Sequence, residues 1–287
     1  MSLKSVFNVS SLKEALDLLN SYKEKAKIIS GGTDIVIELK EGKISPEALI
    51  DISSLKDLRF IEENENYVEI GACTTFTDLW TNSIIDREFK GLAKAAHLVG
   101  SPQIRNKGTI GGNIANGSPA ADTAPPLLAL DSTCIIKSLN GERQVKLKDM
   151  YSGKGIVNIE PYEILYSIKI NKKGKNAGVG FSKLGLRNAL AISRLSVAVS
   201  LILNNGICEE FKVGSGSLSR YPEKEDILES MFVGKEINSE IIKKAADKFS
   251  DHIKERLDGR GTCEFKSEAV KGCFTNAVNE ALSQVKQ

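Results

Sequence analysis

Hydrophobic positions recur along this chain at two periods, and the switches between them sort it into elements. Leu12, Ala15, Leu16 and Leu19 fall at helical spacing behind Ser11 and Glu14, which stand in the order of a capping box. Lys27 to Ser30 reads as a short buried strand, Gly31-Gly32-Thr33-Asp34 as a tight turn, and Ile35 to Lys40 as a short helix. A strand near Leu49 to Ile52 completes a small α/β unit. Tyr67-Val68-Glu69-Ile70 alternates with strand period. Phe76 to Trp80 and Gly91 to Val99 predict short helices, followed by strands near Thr133 to Ser138 and Ile164 to Ile170. Asn171 to Asn176 is polar, basic and flexible in composition, which marks the boundary with a C-terminal domain or a surface loop just beside it. Beyond it, Arg194 to Leu203 and Ile207 to Val213 alternate on either side of Asn204-Asn205-Gly206, the signal of a type I′ hairpin. The end is helical. Ile241, Ile242, Ala245, Ala246, Phe249 and Ile253 form one stripe within Ser239 to Leu257, and a second helix spans Ser267 to Val285.

These elements predict an α+β protein. A two-part α/β domain covers 1–175, with subdomains of about 1–55 and 56–175. An antiparallel sheet with helices covers 176–287. The length of 287 residues agrees with two domains. Composition adds exclusions. The net charge is +2 and basic residues are interspersed with acidic ones, so there is no footprint for nucleic acid. No apolar run approaches a membrane span, and MSLKSVFNVS lacks the apolar core of a secretory signal, which points to the cytoplasm. The five cysteines, at 73, 134, 208, 263 and 273, are scattered without a C-x-x-C pair. That spacing argues against disulfides, zinc or an iron–sulfur cluster in this chain.

The chemistry concentrates in two glycine-rich stretches. Gly108 to Pro126, GTIGGNIANGSPAADTAPP, carries a single charge, Asp122, and runs into the apolar block Leu127 to Leu130. Ile28 to Ile35 is the other stretch. Glycines let backbone N–H groups approach an anion closely, so two such segments form two cradles for a dinucleotide whose pyrophosphate lies between them. Neither is a Rossmann fingerprint or a P-loop. In the first cradle, amides and the Thr33 hydroxyl face phosphate oxygens, and Asp34 caps the following helix through its side chain. In the second, Thr109, Gly112 and Asn113 contribute, and Asp122 suits ribityl or ribose hydroxyls. Gly100 to Asn106 forms a turn fixed by Pro102, from which Gln103 and Arg105 could steer a nucleotide or a partner. His97 and His252 are the only histidines. The pattern places His97 in the core and His252 on the surface, so neither builds a catalytic triad or a metal centre. No catalytic acid or base and no metal ligand is assigned, and that favours chemistry borrowed from a cofactor.

Gly31-Gly32-Thr33-Asp34 and, about eighty residues later, Thr109-Ile110-Gly111-Gly112-Asn113-Ile114 with Pro119, Asp122 and Pro125 carry a resemblance. So do Glu163-Ile164-Leu165, Phe181 to Gly185 and Asp258 to Gly261. Together they resemble the flavin-binding subunit of the xanthine dehydrogenase family of molybdenum hydroxylases. The resemblance implies a flavin domain of the vanillyl-alcohol-oxidase (PCMH) type and FAD as cofactor. It implies FAD contacts from Ile28, Ile29, Ser30, Gly31, Gly32, Thr33, Asp34, Ile35, Gly100, Thr109, Gly112, Asn113, Asp122, Leu165 and Lys183. Leu165 then packs on the isoalloxazine ring or is plain core. Lys183 approaches the flavin or is a solvated strand lysine. The implied partners are a molybdenum-cofactor large subunit and a 2Fe-2S small subunit, with NAD+ as acceptor. A self-contained flavoenzyme of the same fold is the alternative.

Overall fold

The computed structural model describes residues 3–185 and 192–285. The first unit is β1 (Ser5–Asn8), α1 (Leu12–Tyr22), β2 (Ala26–Ile29), α2 (Ile35–Lys40) and β3 (Ala48–Asp51). The strands form a parallel sheet in the order β1-β3-β2. Helix α1 buries Ala15, Leu16 and Leu19 against it, as the spacing predicts. The capping box forms only in part. Ser11 Oγ accepts the Glu14 N–H, but the Glu14 carboxylate accepts from Ser10 N at 2.8 Å instead of from Ser11. The return bond has slipped one residue toward the N-terminus.

The second unit opens with β4 (Ile61–Glu63) and β5 (Tyr67–Gly71). Six short helices follow: α3 (Phe76–Thr81), α4 (Ser83–Glu88), α5 (Lys90–His97), α6 (Pro102–Arg105), α7 (Ile110–Ala115) and α8 (Ala124–Ala129). It closes with β6 (Thr133–Ser138), β7 (Gly141–Lys146), the small hairpin β8 (Tyr151–Gly153) and β9 (Ile156–Val157), and β10 (Ile164–Asn171). The main sheet is antiparallel in the order β4-β5-β10-β6-β7. One face of it, with Val68, Ile70, Ile136 and Ile168, packs on Phe76, Leu79, Phe89 and Leu92. Helices α4, α6, α7 and α8 lie outside the predicted set. Each is four to six residues long, too short for an apolar period to emerge; side-chain caps define the first three, and α8 opens on Pro125 and Pro126 without one. Asn82 caps α4, Ser101 caps α6 and Thr109 caps α7.

The third unit contains β11 (Ala177–Gly185), β12 (Ser193–Asn204), β13 (Ile207–Gly216), β14 (Glu223–Lys224), α9 (Glu229–Phe232), α10 (Ser239–Arg256) and α11 (Cys263–Leu282). Its antiparallel sheet runs β11-β12-β13-β14. Asn204 pairs with Ile207 across Asn205 and Gly206, whose φ values of 50° and 83° are those of the type I′ turn. Helix α10 buries Ile242, Ala245, Ala246, Phe249 and Ile253, most of the predicted stripe. Helix α11 lies directly on β11: a Cβ at Gly180 would stand 1.9 Å from the Ala277 carbonyl oxygen. The same helix and the turn after it close the free edge of β11. Glu280 accepts the Phe181 N–H at 2.8 Å, and Gln284 brackets Val179 with two hydrogen bonds.

Strand β12 is buried on both faces. Leu195, Val197, Val199 and Leu201 meet α10 and α11, while Ala198 and Phe181 meet Ala95 of α5 and Ala129 of α8. The third unit is therefore packed against the second. Lys94 to Glu280 at 2.8 Å joins them at the surface. The boundary segment is not slack: Lys172 pairs with Glu63 at 2.6 Å and Lys173 with Glu210 at 2.7 Å, one in each unit. Composition alone does not reveal such anchors. Two glycines touching α11 make opposite predictions. Gly180→Ala should lower stability by about 1–3 kcal/mol through overpacking. Gly272→Ala, inside α11 with nothing near its Cβ position, should raise it by about 0.5–1 kcal/mol. Urea denaturation of each variant checks both signs.

Candidate dinucleotide-binding site

The turn after β2 is built by contact with the second glycine segment. A Cβ at Gly31 would lie 1.9 Å from the Lys107 carbonyl oxygen and 3.0 Å from Gly108 Cα. The two segments meet backbone to backbone, and residue 31 must be glycine for that reason. Gly32 has φ +73°, a conformation that favours glycine, and it reverses the chain into α2. Among the described residues, the N–H groups of Gly31, Gly32, Thr33, Asp34 and Ile35 have no hydrogen-bond acceptor. Five successive unpaired amides in a half-buried turn fit a polyanion. Ile28 and Ile29 belong to β2 and support the turn, and Ser30 Oγ points to Cys73 Sγ at 3.4 Å. Asp34 occupies the N-cap position of α2 but makes no capping bond with its side chain. Its φ of −108° and ψ of −54° are not those of a capping residue, and its Oδ2 takes the Thr33 hydroxyl at 3.3 Å.

The second segment differs from the cradle of amides expected of it. Ile110 N–H goes to Thr74 O, Gly111 N–H to Ala72 O, Gly112 N–H to Thr109 Oγ1 and Asn113 N–H to Thr109 O. The first two donors tie α7 to the residues just after β5 and the last two close its own first turn, so side chains and an open Cα face remain for a ligand. Gly112 is exposed, and a Cβ there would meet only Thr109 Oγ1 at 3.0 Å. The Asn113 carbonyl oxygen fixes Thr123, taking its hydroxyl at 2.6 Å, which leaves the Asn113 amide as donor. Gly100, at φ +42°, ends the turn after α5. Arg105 donates to the carbonyls of Val99 and Gly100 at 3.1 Å, so it closes that helix end. Gln103 is exposed. His97 is exposed and packs on Trp80, with ring centroids 4.6 Å apart, and is not a core residue. Its apolar neighbours in sequence point inward while it points out. His252 is half-buried beside Arg256 and Glu225.

Asp122 and Lys183 come from different units and meet inside the protein. Lys183 Nζ lies 2.6 Å from Asp122 Oδ2 and 3.0 Å from the Leu98 carbonyl, and both side chains are 8% exposed. Lys183 is therefore not a solvated strand lysine. Ser193 Oγ donates to Asp122 Oδ1 at 2.5 Å. Burial pushes the Asp122 carboxyl above the ordinary range, opposed by Lys183 and Ser193. Leu165 is 5% exposed and belongs to the core beside Ile136, next to a register shift in β10. Ser193 and the Leu98 carbonyl are parts of this cluster that sequence reading missed. An isolated serine and a main-chain oxygen carry no sequence signal.

With that geometry in place, comparisons with known proteins locate the family. Residues 2–172 match the model of the FAD binding domain in molybdopterin dehydrogenase, and residues 181–281 match the CO dehydrogenase flavoprotein C-terminal domain. The chain is 35% identical to the nicotinate dehydrogenase FAD-subunit of Eubacterium barkeri, over 97% of this chain and 96% of that one. It is 30% identical to the xanthine dehydrogenase FAD-binding subunit of Escherichia coli O157:H7, over 97% and 96%. Among solved structures, it superposes on carbon monoxide dehydrogenase from Hydrogenophaga pseudoflava with a TM-score of 0.93 at 27% identity, covering 99% of each chain.

The group to be held is FAD, and the residues present fit it. The unpaired amides of Gly31 to Ile35 suit its pyrophosphate, and the open Cα face of Gly112 allows close approach. Gly112→Val should fold normally, since nothing but Thr109 Oγ1 crowds the site, yet lose bound FAD. A yellow variant with full flavin content would remove Gly112 from the site. Lys183→Met would strand the Asp122 carboxylate and should destabilise the flavin-free protein by about 3–5 kcal/mol. Adding Asp122→Asn should restore most of that loss in urea denaturation.

Proposed function

The chain belongs to the family of FAD-binding subunits of molybdenum hydroxylases, and we propose that it is the electron-transfer subunit of a multi-subunit enzyme of this kind. In this reading a large subunit with the molybdenum cofactor oxidises the substrate. A 2Fe-2S small subunit relays the electrons, and this chain delivers them to NAD+. The observation that carries the reading is the free-amide turn at Gly31 to Ile35, held at a fixed place against Lys107. When bound, FAD supplies the exchange between one-electron and two-electron carriers. The chain's own residues bind and orient it. The turn amides take the pyrophosphate, Thr109 and Asn113 offer side-chain donors, and Gly112 leaves room. Leu165 supports the ring, and Lys183 places a cation near it.

No residue of this chain is assigned as an acid or base. The substrate pocket lies on the large subunit, and the reading for it is an aromatic N-heterocycle, xanthine or a related purine. The likeness to nicotinate and xanthine dehydrogenase subunits supports that class. The same relatives, matched over nearly their full lengths, favour a subunit over a self-contained flavoenzyme. We place the complex in the cytoplasm. Among the described residues no helix is long and apolar enough to cross a membrane.

Anaerobic addition of NADH to the FAD-loaded chain tests the acceptor. Bleaching of the flavin absorbance is the expected result, and unchanged colour would refute NAD+. A cation at 183 should also raise the flavin potential. Lys183→Met should lower it on the order of 30 mV, which is about 1.4 kcal/mol for a two-electron couple. An unchanged potential in spectroelectrochemical titration would separate Lys183 from the flavin.

A further inference from the structure

Three cations of the third unit stand outside the machinery described above. Lys266, in the first turn of α11, donates its ammonium to the Ser217 carbonyl. Ser217 Oγ donates to the Ser193 carbonyl at 3.1 Å, and Ser193 Oγ holds Asp122, the partner of Lys183. A continuous line of hydrogen bonds therefore joins Lys266 to the buried pair. Ser217 sits at φ +60°, uncommon for a residue with a side chain, and its N–H is pinned to Pro119 O at 2.7 Å. Arg194 follows Ser193 directly, and Arg260 lies in the turn that leads into α11. Both are exposed. Burial makes the Lys266 ammonium easier to deprotonate, and the charges of Arg260 and Arg194 add to that effect. Among the described residues none of the three forms an ion pair, although Lys254 and Arg256, six and four residues before Arg260, both do. Lys266 hangs from Ser217, and Ser217 holds Ser193, the neighbour of Arg194, so both cations stand at one end of this line; positive charge placed there raises the local concentration of anions. Two guanidinium forks in such a group match phosphate oxygens.

We propose that Arg194, Arg260 and Lys266 form the anion-binding side of the acceptor's approach to the flavin and receive the pyrophosphate of a nicotinamide dinucleotide. The inference rests on NAD+ as the acceptor. The test uses the complex assembled with its partner subunits and saturated with FAD. Arg194→Gln with Arg260→Gln removes two exposed charges and leaves Lys266 on Ser217. Calorimetric titration with ADP-ribose reads binding directly, and steady-state assays read the KM for NAD+ beside the rate with an uncharged dye. The double variant should bind ADP-ribose about tenfold more weakly or worse and show a matching rise in KM. Flavin content, kcat and the dye rate should stay unchanged. Equal ADP-ribose affinity in wild type and variant would overturn the cluster while leaving NAD+ as acceptor. A wild-type complex that neither binds ADP-ribose nor reduces NAD+ would overturn both. A defect confined to an acidic protein carrier would make the patch a protein dock and overturn the dinucleotide assignment.

Discussion

The contact between Gly31 and the Lys107 carbonyl is the constraint on which the site depends. It presses a turn from the parallel sheet against the connection between α6 and α7 with no side chain between them. That closeness fixes the free amides of Gly31 to Ile35 relative to Thr109, Gly112 and Asn113. A dinucleotide held at both places gains from geometry set before it arrives. In the proposed site the two segments would serve it differently. The first presents unpaired backbone donors. The second uses its backbone to hold α7 on β5 and offers side chains and an uncovered Cα instead.

The third unit completes this arrangement from the other side. Strand β12 has no solvent face along most of its length, because α10 and α11 cover one side and α5 and α8 the other. Lys183 on β11 can then reach across to Asp122, which lies just ahead of α8. A buried pair of this kind adds little net stability, since desolvation offsets most of the attraction, but either partner alone is costly. Its consequence is positional. The start of β12, the glycine segment and the end of α5 are held at one point through Ser193, Asp122 and the Leu98 carbonyl.

Much of this was legible in the sequence, for reasons that differ by element. The β12–β13 hairpin was readable because Asn205-Gly206 dictates the turn and alternation dictates the strands. Helix α10 was readable because its stripe runs for several turns. Helices α6, α7 and α8 were hidden because a single turn shows no period, and proline and glycine there read as loop. The glycine motifs pointed to two segments that the fold brings into contact, and their glycines are there for different reasons: Gly112 opens space, whereas Gly31 answers to Lys107, a residue far away in sequence. Asp34, the amides of the second segment and His97 went differently from expectation because tertiary contacts decide them. Ser193 and Ser217 had no local signal at all.

The most direct test of the account is Gly31→Ala. The added Cβ cannot coexist with the Lys107 carbonyl at its present position, so the turn must shift away from the second segment. The variant, purified beside the wild type, is compared by circular dichroism and by the amount of FAD released on denaturation. Retained secondary structure with most of the FAD lost is the result the account predicts. A variant that carries as much FAD as the wild type, with equal affinity on titration, would contradict it. The spacing of the two segments would then not be what holds the cofactor.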